Sequence, residues 1–260
     1  MYKTWIKHTG LKRLLVVIVL AVIFFGAYTC SAENMDNERG KKMKIAIITA
    51  MQSEFDAVHS LYDFKGDNKE ATAEAYGKEI LLLKSGMGKV NAALTTQKAI
   101  DKGADLVINT GLAGGIDSSL TQGDIVLAEK TGYHDVFCGE GNIKGQVQDL
   151  PLYYSASPLV EKLHQQLPEF HKGLTVTGDQ FVTDINHLKT IKQDFPEALA
   201  VDMESSAVAQ TCYLANIPYI SLRIISDVVG KENQSDQYNN FWTTVPNKAA
   251  EMVDNVLKGI

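Results

Sequence analysis

Three acidic side chains stand where apolar runs end. Ala200-Val201 leads into Asp202-Met203-Glu204 and then a small-residue pattern from Ser205 to Ala209. Ile217 to Ile225 ends in Ser226-Asp227, and Lys44 to Ile48 leads through Ala50-Met51 to Glu54. Short apolar runs followed by helical periodicity read as buried strands feeding helices. In an α/β sheet the ligand crevice lies outside the carboxyl ends of the strands, which is where these acids fall. Carboxyl groups gathered there can give or take protons and can balance a developing positive charge. Each acid taken alone reads equally well as a first-turn residue favoured by a helix N-terminus.

The elements that must hold these acids alternate. Glu70 to Lys84 reads as a hairpin turning at Tyr76-Gly77, and Gly86-Met87-Gly88-Lys89 opens a helix with Val90, Ala93, Leu94 and Ala99 as its apolar face. Leu106-Val107-Ile108-Asn109 is a strand entering Thr110-Gly111-Leu112-Ala113-Gly114-Gly115, which reads as a glycine-rich turn able to approach a ligand closely. No Lys-Ser/Thr follows it and the dinucleotide spacing is absent, so neither phosphate-loop motif applies. Asp124 to Ala128 and Leu174 to Thr177 are further strands; Leu159 to Leu167 and Ile185 to Phe195 are helices. Residues 135–155 are aperiodic, as a lid or binding loop would be. Phe241 to Leu257 is a closing amphipathic helix interrupted near Pro246. The alternation predicts a single α/β domain with a parallel or mixed sheet covered on both faces.

Bulk properties exclude several classes. Lys3, Lys7, Lys12 and Arg13 precede the apolar run Leu14 to Ala27, and no acid occurs before Glu33, the anatomy of an export signal. Cys30 loosely resembles a lipoprotein lipobox cysteine, so a lipid anchor there is one expectation; ordinary cleavage after Cys30-Ser31-Ala32 and a retained anchor are the others. The expected organisation is therefore a signal over 1–30, a polar linker over 31–42 and a catalytic domain over 43–260, exported to the periplasm or held at a membrane. Removing the four cations before Cys30 would take the net charge from −6 to about −10, and no basic patch with interleaved aromatics exists, which argues against nucleic acid. Cys138 and Cys212 form no disulfide framework, and no metal-ligand spacing is present. No cofactor is expected.

Several collinear motifs carry a resemblance. They are Lys44 to Ile48 with Ala50-Met51 and Glu54, Leu83 to Val90, Asn109-Thr110-Gly111 with Ala113-Gly114-Gly115, Gly123 to Val126, Tyr133-His134-Asp135, Gly178-Asp179 with Phe181, Met203-Glu204, and Arg223 with Ile225-Ser226-Asp227. Together the chain after residue 43 resembles the 5′-methylthioadenosine/S-adenosylhomocysteine nucleosidases of the nucleoside phosphorylase/hydrolase superfamily. The resemblance implies a three-layer α/β sandwich around a mixed, partly barrel-like sheet, a homodimer, and an adenine nucleoside as substrate. It implies that Asp227, held by Ser226, acts as the acid at adenine N7, that Glu54 activates water, and that Glu204 binds the ribose hydroxyls. Met51 and Met203 would line the ribosyl face, with Ala113, Gly114 and Arg223 among the binding residues. Phe181 and Tyr238 would stack on the purine, the Val182 backbone would read its edge, and Met87 would meet the 5′-alkylthio group across the dimer. Gln234 to Phe241 resembles the segment that closes over bound purine.

A sister branch of that superfamily uses phosphate instead of water, typically with several arginines to bind it. This chain has only Arg13, Arg39 and Arg223, and the first two precede the domain. Hydrolysis is the better expectation, with purine nucleoside phosphorolysis and a non-catalytic nucleoside-binding lipoprotein as alternatives. Leu112, Asp202 and the 135–155 loop depart from the family pattern, which leaves the 5′ substituent open.

Overall fold

The computed structural model describes residues 42–244 and 248–260, and Met43–Ile260 forms one compact unit. The expected signal over 1–30, the linker up to residue 41, the Cys30 anchor and the break at Pro246 lie outside the described residues. Among the described residues, no helix is long and apolar enough to cross a membrane.

Five strands close a ring. β5 (Leu106–Gly115) pairs in parallel with β10 (Tyr219–Val228), β10 pairs antiparallel with β6 (Ile125–Tyr133), and β6 pairs in parallel with β8 (His171–Thr177). β8 then pairs in parallel with β9 (Ala198–Asp202), and β9 returns antiparallel to β5. The sheet extends from β5 through β1 (Lys44–Thr49) and β4 (Lys78–Lys84), both parallel, to the antiparallel β3 (Glu70–Ala75) and the short β2 (Lys65–Gly66). A short β7 (Tyr154–Ser155) flanks β6.

Alternation along β1 shows why the domain has three layers. Successive strand side chains point to opposite faces. Ile45 and Ile47 join a core with α1 (Gln52–His59), α3 (Leu159–Gln166) and α7 (Lys248–Gly259), while Ala46 and Ile48 join another with α2 (Lys89–Asp101) and α5 (Ser205–Ala215). A strand buried on both faces must be apolar at nearly every position, as Ile45 to Ile48 is. A smaller core joins Ile191 of α4 (Ile185–Asp194) to Leu174, Val176 and Val201.

Three expectations are corrected. Thr110 to Gly115 is the second half of β5, not a turn, because ladders on both sides carry it onward: Gly114 sits opposite Val201 on β9 and Asp227 on β10. On α2 the buried residues are Ala92, Thr96 and Ala99, whereas Val90 and Leu94 are 69% and 67% exposed. The small residues let α2 lie close to α5, and the large apolar ones point away. The closing helical region begins at Gln234 rather than at Phe241, as α6 (Gln234–Thr244) followed by α7, so the segment that resembles the one closing over purine is itself helical.

Candidate active site

The site is built where strand ends meet. β9 runs antiparallel to the second half of β5, with Ala200 opposite Gly115 and Val201 opposite Gly114, so its last residues run back along β5 toward Ala113 and Leu112, near where β1 ends and α1 begins. One cavity opens there. Met51, Glu54, Ala113, Gly114, Phe181, Val182, Met203, Glu204, Ser226, Asp227 and Tyr238 are all in its wall, Arg223 is not, and Met87, expected to act across the dimer, lines the cavity of its own chain. The 135–155 loop, expected to cover part of the site, contributes no wall residue.

Glu54 combines two roles that the sequence left as alternatives. It is the third residue of α1, and its Oε2 accepts from the Ala50 and Met51 amides at 2.9 Å each, in the manner of a capping-box acid. Among the described residues, its Oε1 accepts only from Leu112 N, at 3.0 Å. A carboxylate oxygen has about two lone-pair sites, so Oε2 is filled and Oε1 keeps one free. Burial pushes the Glu54 carboxyl above its usual range, opposed by the Met51 amide and by Arg223. Gly111 makes the approach possible: a Cβ there would stand 2.6 Å from Arg223 Nη1 and 2.7 Å from Glu54 Oε1.

Arg223 is placed otherwise than expected. It is buried behind the wall, where Nε donates to Asp202 Oδ2 at 2.6 Å and Nη2 donates to Asn109 Oδ1, with Glu204 Oε2 at 3.7 Å. Its work is to hold carboxylates. Asp202 also accepts from Thr177 Oγ1 at 2.6 Å and from the Glu204 and Ser205 amides at the start of α5, so the N-cap residue, Glu204, does not cap with its own side chain and faces the cavity. Glu204 Oε1 accepts from Gly88 N at 2.9 Å, and burial pushes its carboxyl up to about 7 against the pull of Arg223. Gly88 donates from φ 93°, a conformation that favours glycine.

Asp227 sits on a bulge. Ile225 is opposite Ala113 and Asp227 is opposite Gly114, which leaves Ser226 without a β5 partner. In regular alternation Ser226 and Asp227 would face opposite sides; the extra residue lets both line the cavity. Ser226 Oγ donates to Asp227 Oδ1 at 2.5 Å, and Gln234 Nε2 donates to Oδ2 at 2.7 Å. Burial raises the Asp227 carboxyl, with Ser226 and Gln234 pulling the other way. Across the cavity the Phe181 and Tyr238 rings lie 4.9 Å apart, and Tyr238 Oη is 3.7 Å from Met51 Sδ. The wall thus sets an apolar and aromatic surface against three buried acids.

Comparison with known proteins shows the family. The family model described as the phosphorylase superfamily matches residues 44–258. A 5′-methylthioadenosine/S-adenosylhomocysteine nucleosidase of Bacillus licheniformis is 37% identical over 231 residues, covering 84% of this chain and all of that one. The chain belongs to this nucleosidase family. Among solved members, an S-adenosylhomocysteine nucleosidase of Streptococcus pyogenes in complex with 5-methylthiotubericidin matches with a TM-score of 0.78 at 33% identity, over 84% of this chain and 98% of that one. A nucleosidase of Colwellia psychrerythraea in complex with adenine matches with a TM-score of 0.76 at 33% identity, over 84% and 96%. The reading from sequence missed the partners behind the wall. Asn109 and the Gly88 amide appear in the quoted motifs without a role, and Gln234 only as the start of a segment. No local pattern marks an amide side chain that acts through space.

Proposed function

We infer that this chain hydrolyses the N-glycosidic bond of 5′-methylthioadenosine and S-adenosylhomocysteine, releasing adenine and the 5-thioribose sugar. The observation that carries this is Glu54 Oε1, a buried carboxylate oxygen with one free lone pair at a cavity whose wall, among the described residues, contains no arginine. That is a site for activating water rather than for gripping phosphate. As the C1′–N9 bond breaks, its electron pair goes to the purine and Asp227 gives its proton to N7, which lowers the charge on the leaving base. The ribosyl group becomes oxocarbenium-like, as in other glycoside hydrolyses. Glu204 accepts from the ribose hydroxyls and opposes the positive charge. Water attacks C1′ and loses a proton to Glu54. Exchange with solvent then returns the proton to Asp227. Phe181, Tyr238 and Met203 supply the apolar surface that sandwiches base and sugar, and Met87 faces the 5′-alkylthio group.

The test uses methylthioadenosine in phosphate-free buffer and again with phosphate, products being separated by chromatography. Adenine and free methylthioribose should appear at equal rates in both. A sugar phosphate formed only with phosphate present would move the chain to the phosphorylase branch.

A homodimer belongs to this proposal. Val90 and Leu94 lie one helical turn apart on α2, and with Met87, Tyr213 and Leu214 they leave large apolar side chains in water around α2 and α5. Contiguous exposed apolar surface of this kind marks an interaction site. Sedimentation should return twice the chain mass, and Leu94→Asp should return the single-chain mass. A wild-type monomer at micromolar concentration would remove the dimer.

A further inference from the structure

The bulge that carries Asp227 is gripped by three glutamines. Gln122 Nε2 donates to Ser226 O at 2.9 Å and to Gln237 O at 2.8 Å, and Val228 N donates to Gln237 Oε1 at 2.9 Å. Gln234 goes to the carboxyl itself. Its Nε2 donates to Asp227 Oδ2 at 2.7 Å and to Val182 O at 2.9 Å, while its Oε1 accepts from Gly230 N at 3.0 Å. Gln234 is 4% exposed and is not a wall residue, so it meets Asp227 from outside the space a substrate would fill.

The two ends of a carboxamide match in shape but not in chemistry. Here the Gly230 N–H fixes the oxygen end, so the amide end must face Asp227 and Val182 O. Reversed, the side chain would set its oxygen against two acceptors and its NH2 against a donor. The grip on Oδ2 is therefore directional. The hydroxyl on the other oxygen is different: Ser226 Oγ is within reach of both Asp227 Oδ1 and Ala113 O (3.3 Å), so it can turn from donor to acceptor as Asp227 changes protonation. Asp227 is thus free to gain and lose a proton, yet not free to rotate about its Cβ–Cγ bond. Gln234 also lies on α6, one turn before Tyr238, which lines the cavity.

We propose that Gln234 is the positioning residue for the acid, holding the Asp227 carboxyl in the orientation that purine departure needs and tying that orientation to the seating of α6 over the cavity. This rests on Asp227 being the acid, as argued above. The side chain touches no reacting atom; it acts through Asp227.

The experiment compares two substrates on the full chain. Methylthioadenosine needs an acid at its base, whereas 4-nitrophenyl 5-methylthioriboside leaves as a stable phenolate and does not. Gln234→Met keeps length and volume but cannot donate. A positioned acid contributes about 10²–10⁴-fold, and loss of its orientation should cost kcat on methylthioadenosine about tenfold. The same variant should lose at least fivefold less on the nitrophenyl substrate, with KM for methylthioadenosine within about threefold of wild type. Since both rates come from one preparation, a partly unfolded sample cancels in their ratio. Gln234→His, which offers a ring N–H at similar reach, should recover part of the lost kcat. Equal losses on the two substrates would reduce Gln234 to a structural role. A fall in KM at unchanged kcat would mean that Gln234 competes with the purine for Asp227 and Val182 O, which also overturns the proposal. Absence of adenine release by the wild-type chain would instead defeat the functional reading on which the proposal depends.

Discussion

Asp227→Asn should lower kcat on methylthioadenosine by about 10²–10⁴-fold, the contribution of a positioned general acid. The change is isosteric. A carboxamide can still present its oxygen to Gln234 Nε2 and its NH2 toward Ser226 Oγ, the two groups now bonded to the carboxyl. What it cannot do is hand a proton to N7. Burial raises the Asp227 carboxyl, so its neutral form survives to higher pH than that of an exposed aspartate. Activity that needs this proton should fall as pH rises through that raised value, and this alkaline limb should be missing from the variant. Stopped assays of adenine release over a pH series provide both readings. A kcat within threefold of wild type would take the acid role away from Asp227.

Glu54→Gln should be the second severe loss, again about 10²–10⁴-fold in kcat, with bound ligand retained. Here the carboxamide fits less well. Its oxygen can take the Oε2 position and accept from the Ala50 and Met51 amides, but its NH2 then meets the Leu112 N–H, donor against donor. An amide left unpaired in a buried place costs about 1–3 kcal/mol, so a lower melting temperature should accompany the loss of turnover. The charge itself is less missed, because burial already works against it. Glu54 must be ionised to accept a proton, so wild-type activity should also fall as pH drops through its raised value; together with Asp227 this makes a bell. Calorimetric titration with methylthioadenosine should find affinity within about fivefold of wild type. Unchanged turnover would remove Glu54 from the mechanism and favour a binding protein over an enzyme.

Much of this is legible in the amino-acid sequence. The strands are short, apolar at consecutive positions and bounded by glycine or a carboxylate, and burial on both faces forces that pattern locally. The acids sit at strand ends because the chain direction alone decides which end faces the crevice. Hence Glu54, Glu204 and Asp227 could be named from the chain, and the cavity gathers them. Glu54 was also rightly suspected as a helix cap, since its two oxygens do different jobs.

Other features were settled only by pairing across the sequence. Thr110 to Gly115 looks like a turn because glycines weaken strands in isolation, yet β9 and β10 hold it extended from both sides. Val90 and Leu94 look like a core face because periodicity reports which residues are alike, not what covers them. Arg223 reads as a ligand contact until three carboxyl groups converge on it from β9, α1 and the start of α5. The Ser226 bulge exists only relative to its β5 partner, and without it Asp227 and Ser226 could not share a wall. Gln234 is the furthest from view, an amide seven residues beyond Asp227 whose direction is set by Gly230 and Val182. The sequence determined which residues can do chemistry, through apolar periodicity and the ends of strands. Tertiary structure alone decided how each is aimed, because aim depends on hydrogen-bond partners that are distant along the chain and close in space.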